Sequence, residues 1–418
     1  MTLAKTSILN GIAVVIRLIS ALLVNKILAI YVGPGGYALI GQFQNTIAIL
    51  MSVAGGVYSQ GLTKYTAQYH DSVEQQHRIW KTAVRASLLV SIIISLSLFL
   101  FQSQLSNAIL KTGEYGLVFI WLAATLPAIA INNLLLAIVN GKKQVVLYVV
   151  VNIFGSIVAL SVTGILTVLW GLKGALIAFA VNPAITLVVC YLFVSRQDWF
   201  NFKYIWGAID KESFKGLNAF GIMTLTSAIA TPLTFIAIRE HLGDEIGLEA
   251  AGYWQAIWKI SEMYLMVITS TLSIYYLPRL AEIKTAGELK YEIHKVYRFA
   301  IPMAIIGATL IYVSRDLVVS VLFSKEFSPM RDLFMWQLVG DVIKIASWVL
   351  GYVMLGRAMI KHFISTEIVF SLLFVVLTIV MVNQYGLVGV SMAYAINVSI
   401  YLICMMVIVK KELTRMAI

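Results

Sequence analysis

Twelve apolar stretches, each about 20 to 30 residues long, follow one another along this 418-residue chain. The first half holds 6–31, 37–66, 79–102, 114–140, 145–169 and 174–194. The second half holds 214–239, 251–281, 296–314, 331–356, 361–382 and 387–409. A helix rises about 1.5 Å per residue, so each stretch is long enough to cross the roughly 30 Å of hydrocarbon in a bilayer. Hydrophobic residues make up 60% of the chain and charged ones only 12%. A soluble domain could not cover that much apolar surface, so the fold class expected is an all-α polytopic membrane protein.

Lysines and arginines give the orientation. With the N-terminus in the cytoplasm, 21 of them fall on the inner side and 6 on the outer side. That bias follows the positive-inside rule and places both termini in the cytoplasm. The net charge of +11 then reflects orientation and anionic headgroups, and a nucleic-acid partner is not expected.

The chain also repeats itself. Residues 171–182 read GLKGALIAFAVN and residues 386–397 read GLVGVSMAYAIN, 215 positions later, with six of twelve positions identical. The same offset carries Gly141-Lys142 onto Gly356-Arg357, and Gly36-Tyr37 falls within one residue of Gly252-Tyr253. Six spans per half is an even number, so the halves read as parallel repeats. The expected domains are an N-terminal lobe, 1–195, and a C-terminal lobe, 214–418. Between them runs a cytoplasmic interfacial linker, 196–213, with Trp199, Phe202, Tyr204 and Trp206 at headgroup level.

Several chemistries are missing. No G-x-x-x-x-G-K-[S/T] motif occurs, so the chain itself is not expected to hydrolyse ATP. Its five histidines are scattered without metal-ligand spacing, and neither a metal nor a cofactor is expected. Cys190 and Cys404 lie in the sixth and twelfth spans and read as small buried hydrophobes. The first span is too long for a signal-peptide h-region, so it is expected to stay in the protein. Outer connections near 239–250 and 315–330 hold fewer than about 20 residues. That leaves little room for the external catalytic loop of a glycan polymerase, and no enzyme activity or catalytic residue is expected.

What the apolar spans do contain is charge. Arg17 and Lys26 lie in the first, Lys259 and Glu262 in the eighth, Asp341 and Lys344 in the tenth, and Glu367 in the eleventh. A charge near the bilayer centre costs on the order of 3 kcal/mol by insertion scales, so it faces the bundle interior or water. Lys259 and Glu262 are spaced i, i+3, as are Asp341 and Lys344, and each pair either neutralises itself or lines a pathway. Arg17 has no acidic residue in its own span and shares a polar face with Asn10, one heptad earlier. A cation in a cavity suits a phosphate or pyrophosphate. Lys26 lies nearer the outer end, where snorkelling competes with substrate contact. Asn132, Asn133, Asn152, Asn182 and Asn397 either contact sugar hydroxyls or join helices.

The opening MTLAKTSILNGIAVVIRLISALLVNKILAIYVGPGG, the stretch LTKYTAQYHD (62–71) and the run FSPMRDLFMWQLVGDVIK (327–344) resemble Wzx-type flippases. More narrowly they resemble the lipid III and O-antigen translocase subgroup of the polysaccharide transporters. The resemblance implies the multidrug/oligosaccharidyl-lipid/polysaccharide (MOP) exporter superfamily, with twelve helices in two six-helix, MATE-like lobes. It also implies carriage of an undecaprenyl-pyrophosphate-linked oligosaccharide across the bacterial inner membrane, with ion-gradient coupling and alternating access. The same pathway's polymerase and chain-length proteins would be partners. Arg17 and Lys26 match basic positions of the family's first helix, and Asp341 and Lys344 match its tenth-helix motif. Glu262 matches an acidic position. Lys259 is not matched to a family position and rests on the intramembrane-charge argument. The resulting site comprises Arg17, Lys26, Lys259, Lys344 and Asn152 for substrate, with Glu262 and Asp341 for ion coupling. A multidrug cation antiporter of the same superfamily is the alternative.

Overall fold

A computed structural model describes residues 3–357 and 359–417; the Asn10 side chain lies outside what it describes. The described residues form helices joined by short connections. The first half contains α1 (Leu3–Tyr31), α2 (Gly33–Met51), α3 (Val57–Gln68), α4 (Val73–Leu100), α5 (Gln102–Leu110), α6 (Gly116–Gly141), α7 (Val145–Val194) and α8 (Phe202–Ile205). Next come α9 (Lys211–Glu245), α10 (Leu248–Thr271), α11 (Leu277–Glu282), α12 (Ala286–Val313), α13 (Arg315–Leu322), α14 (Phe334–Gly356), α15 (Ile360–Tyr385) and α16 (Val388–Ala417). Wide π turns at Ser52–Gly56 and Leu272–Tyr276 join α2 to α3 and α10 to α11.

Among the described residues, nine helical segments are long and apolar enough to cross a membrane. The stretches at 145–169 and 174–194 fall in one segment, α7, which breaks at Trp170 and Gly171. Neither α9 nor α10 is among the nine; α10 carries Gln255, Lys259 and Glu262 in its middle. Exposed apolar side chains such as Ile93 on α4, Leu310 on α12 and Leu372 on α15 suit contact with lipid tails. The protein is an integral membrane protein.

The chain divides into two compact units. Unit 1 comprises Met1–Val32 and Leu39–Pro232, and unit 2 comprises Gly33–Ala38 and Leu233–Ile418. In unit 1, α6 packs against α4 and α7, and α1 lies along α7. In unit 2, α14 packs against α12 and α16, and α15 lies along α16. The core of unit 2 is aliphatic and aromatic, built from residues such as Leu265, Ile345, Val349 and Met405. Both cysteines are free thiols.

The repeated GLxG motif has a local cause. Gly171 sits at φ 55°, ψ −134° and Gly386 at φ 59°, ψ −141°, a conformation that a side chain opposes. Three residues on, a Cβ at Gly174 would meet the Leu166 carbonyl oxygen at 1.8 Å, and one at Gly389 would meet that of Met381 at 2.2 Å. The first glycine turns the chain and the second lets it pass close to the helix it has just left.

The linker packs onto α4 within unit 1. Tyr204 stacks on His77 with ring centroids 4.1 Å apart, and Trp199 meets Trp80 edge to face. Arg85 donates to the Gly207 carbonyl at 3.2 Å. Asp210 caps α9 by accepting the Ser213 backbone N–H at 2.8 Å. Of the four aromatics expected at headgroup level, Phe202 and Trp206 are exposed and stack on each other.

Candidate functional site

Residues four and seven apart share one face of a helix, so α14 presents Gln337, Asp341 and Lys344 as a stripe. Asp341 is completely buried. Its Oδ2 accepts the Ser261 hydroxyl at 2.6 Å and the Tyr264 hydroxyl at 3.0 Å, both from α10. Its Oδ1 accepts the Tyr394 hydroxyl of α16 at 2.9 Å. Gln337 in turn donates to Ser261 at 3.2 Å. Burying a carboxylate costs several kcal/mol. Hydrogen bonds to a charged group contribute about 1.5–3 kcal/mol each, so the three hydroxyls offset part of that cost.

Among the described residues Lys344 makes no direct salt bridge with its helical neighbour Asp341, although the two groups interact electrostatically. Its ammonium lies 4.7 Å from the ring centre of Trp258, 4.8 Å from that of Trp348 and 5.6 Å from that of Tyr394. Ring faces stabilise a cation by about 0.5–2 kcal/mol, more when water is excluded. The i, i+3 spacing therefore builds two adjoining environments, one of hydroxyls and one of rings, with Tyr394 in both.

Lys259 and Glu262 do form the ion pair their spacing predicts, at 2.7 Å. The second carboxylate oxygen of Glu262 accepts the Trp258 indole N–H at 3.1 Å. Trp258 thus holds Glu262 with its edge and Lys344 with its face. Four of the seven expected site residues are joined in this way, all within unit 2. Behind them, buried Arg239 donates to Gln255 and lies over Trp254. The sequence places Arg239 on the outer flank; in the structure its side chain is packed inside unit 2.

The other three expected residues belong to unit 1. Arg17 is exposed and Lys26 half-buried on α1. Asn152 donates its amide to the Tyr148 carbonyl of its own helix at 2.7 Å. Asn182 joins two parts of α7 by donating to Thr163 at 2.8 Å. Asn133 lines a cavity of about 430 Å³ with Ser59, Gln60, Thr63, Asn140 and Tyr148. Among the described residues, no group of three or more His, Cys, Asp or Glu side chains is placed to hold a metal ion.

Sequence reasoning passed over Ser261, Tyr264, Tyr394 and Trp258. The repeat holds the signal for one of them. At the 215-residue offset, Gln337, Asp341 and Lys344 correspond to Leu122, Leu126 and Ile129, each fully buried in unit 1. Tyr394 corresponds to Phe179. The polar stripe of α14 occupies positions that are apolar core in the other copy.

Comparison with known proteins adds to this geometry. The chain is 30% identical over 402 residues to the lipid III flippase of Escherichia coli K12, covering 96% of each chain. It is equally similar to the lipid III flippase of Shigella flexneri. Among solved structures it resembles an inward-facing multidrug resistance MATE transporter of the MOP superfamily, with a TM-score of 0.83, 15% identity, and coverage of 97% of this chain and 99% of that one. It also resembles a MOP superfamily transporter from Pyrococcus furiosus, with a TM-score of 0.72, 16% identity and coverage of 99% and 96%. These structural likenesses show a MATE-type fold. The sequence pattern of the polysaccharide biosynthesis protein family matches residues 3–284, and with the end-to-end likeness to the flippases it establishes that the chain belongs to that family.

Proposed function

We propose that this protein flips undecaprenyl-pyrophosphate-linked oligosaccharides, of the O-antigen or enterobacterial common antigen type, from the inner to the outer leaflet of the bacterial inner membrane. The observation that carries this reading is the 30% identity to a lipid III flippase over 96% of both chains. Both termini lie in the cytoplasm, following the lysine and arginine bias. Transport proceeds by alternating access. Arg17 binds the pyrophosphate, with Lys26, Lys259, Lys344 and Asn152 as further substrate contacts. The amide and hydroxyl lining of the unit 1 cavity suits sugar hydroxyls.

Asp341 and Glu262 couple transport to an ion gradient. Three hydroxyls donate to Asp341, an arrangement suited to an ionised carboxylate. Adding a proton there converts an acceptor into a donor, so the network must rearrange, and the conformational equilibrium shifts with it. The antiporter alternative has support from the fold alone.

The test is depletion of the protein followed by mass spectrometry of the lipid fraction. A lipid-linked oligosaccharide accumulates if the reading is right; unchanged lipids with new drug sensitivity would assign the antiporter role instead. Arg17→Ala should reproduce the accumulation while the protein still inserts. Normal export by that variant removes Arg17 from the site.

A further inference from the structure

At one end of unit 2 a cavity of about 950 Å³ lies where α11, α14, α15 and α16 end or begin. Its polar lining is Lys284, Arg357, Lys361, His362, Glu412 and Arg415. Glu412 is buried. It is bound by Arg357 through Nε at 2.9 Å and approached by Arg415 at 3.7 Å. Arg357 also donates to the Ile283 carbonyl at 3.2 Å. The buried acid and this carbonyl therefore fix the Arg357 guanidinium at the cavity wall. Lys284 and Lys361 are exposed and form no ion pair among the described residues. Four permanent cations thus surround one carboxylate, whose charge is already taken up by the two arginines. The remaining lining is apolar, with Leu280, Met359, Ile360 and Met416.

Unit 1 lacks this arrangement. At the same offset Arg357 and Glu412 become Lys142 and Gln197. Lys142 rests over Trp80 and Trp199, and Gln197 accepts from Gln144 at 3.1 Å. The charge excess is therefore a property of the second copy and does not follow from the repeat.

A solvated basic face explains scattered lysines. It does not explain a concave site with a guanidinium anchored by a buried acid. Basic pockets among membrane helices recognise phosphate headgroups, and apolar walls accommodate the glycerol and upper chains of a lipid. We propose that this cavity binds the phosphate headgroup of an anionic membrane lipid. The site lies apart from the Asp341 network and does not depend on the transport reading.

The test uses the full-length protein in detergent with phosphatidylglycerol, phosphatidylcholine, inorganic phosphate and a polyprenyl pyrophosphate as probes, followed by native mass spectrometry. Phosphatidylglycerol should be retained over phosphatidylcholine. The K284Q/K361Q double variant, altered only at exposed positions, should bind it about 30-fold more weakly. Arg357→Gln should also weaken binding; if that variant fails to fold, the double variant still decides. Equal retention of phosphatidylglycerol by wild type and double variant would overturn the proposal. So would displacement by inorganic phosphate at equal affinity, which marks a free-anion site. Tighter capture of the polyprenyl pyrophosphate also overturns it and places the cavity on the transport path. Because the readout is binding alone, failure here leaves the export experiment unaffected.

Discussion

Tyr394 donates its hydroxyl to Asp341 at 2.9 Å, and the two stand where the other copy of the repeat has Phe179 and Leu126. One copy thus holds a hydrogen-bonded carboxyl group at a place that the other fills with hydrocarbon. The two changes depend on each other. A buried aspartate without donors costs several kcal/mol, and a buried tyrosine hydroxyl without an acceptor costs about 1–3 kcal/mol.

Tyr394→Phe restores the residue of the first copy and removes one donor from the carboxylate. The variant should lose about 1.5–3 kcal/mol of stability, read as a lower melting temperature in detergent. Phe179→Tyr, its mirror in unit 1, has no buried carboxylate at the Leu126 position to receive its hydroxyl, so it should stabilise nothing. If Tyr394→Phe melts with the wild type, the hydroxyl is not donating to a buried charge.

Asp341→Asn keeps the shape of the side chain and removes its charge. An amide offers one acceptor oxygen where the carboxylate offers two, so the three hydroxyls cannot all be satisfied. Export should fall at least about tenfold in a complementation assay, with the protein still present in the membrane. Wild-type export by this variant would show that the network serves stability alone.

Trp258 has two functions that separate by substitution. Trp258→Phe keeps a ring for Lys344 and loses the N–H that Glu262 accepts; Trp258→Leu loses both. The ring contributes about 0.5–2 kcal/mol, so the leucine variant should be the less stable by roughly that amount. Calorimetric ranking of the two variants checks this, and equal melting points would contradict it.

Outside the membrane, Asp210 gives a pH signature. The Ser213 backbone N–H, with help from the Ser213 hydroxyl, holds the Asp210 carboxyl below the usual carboxylate range. A depressed pKa gives stability that is complete above the unfolded value, near pH 4, and fades as pH falls through the folded value. Asp210→Ala should lose a helix cap, about 1 kcal/mol at pH 7. The gap in melting temperature between wild type and variant should narrow below about pH 4, and a gap that widens in acid would refute the cap.

The apolar spans and the repeat could be read from the sequence because each imposes a long, regular constraint. Rotation of one helix about its axis imposes none. Asp341 and Lys344 stand out as charges among apolar residues, yet their spacing says nothing of the hydroxyls that reach Asp341 from 53 to 80 positions away. Ser261, Tyr264 and Tyr394 are ordinary residues for a membrane helix until the neighbouring helix is in place. Arg239 shows the converse. Its position at the end of a span fits an outer flank, and only packing against Trp254 and Gln255 reveals it as buried. Asn152 reads from the sequence as a sugar contact or, more often for such a residue, a helix joint, and its amide donates to a carbonyl of its own helix.

The glycine corners at Gly171 and Gly386 mark what the two halves of the chain share. Both copies place a glycine at positive φ at the same offset, where any other residue would oppose the turn. The corner is therefore what the two copies have in common, and the charged interior is what sets them apart. The chain makes this bend twice and carries its charged interior once.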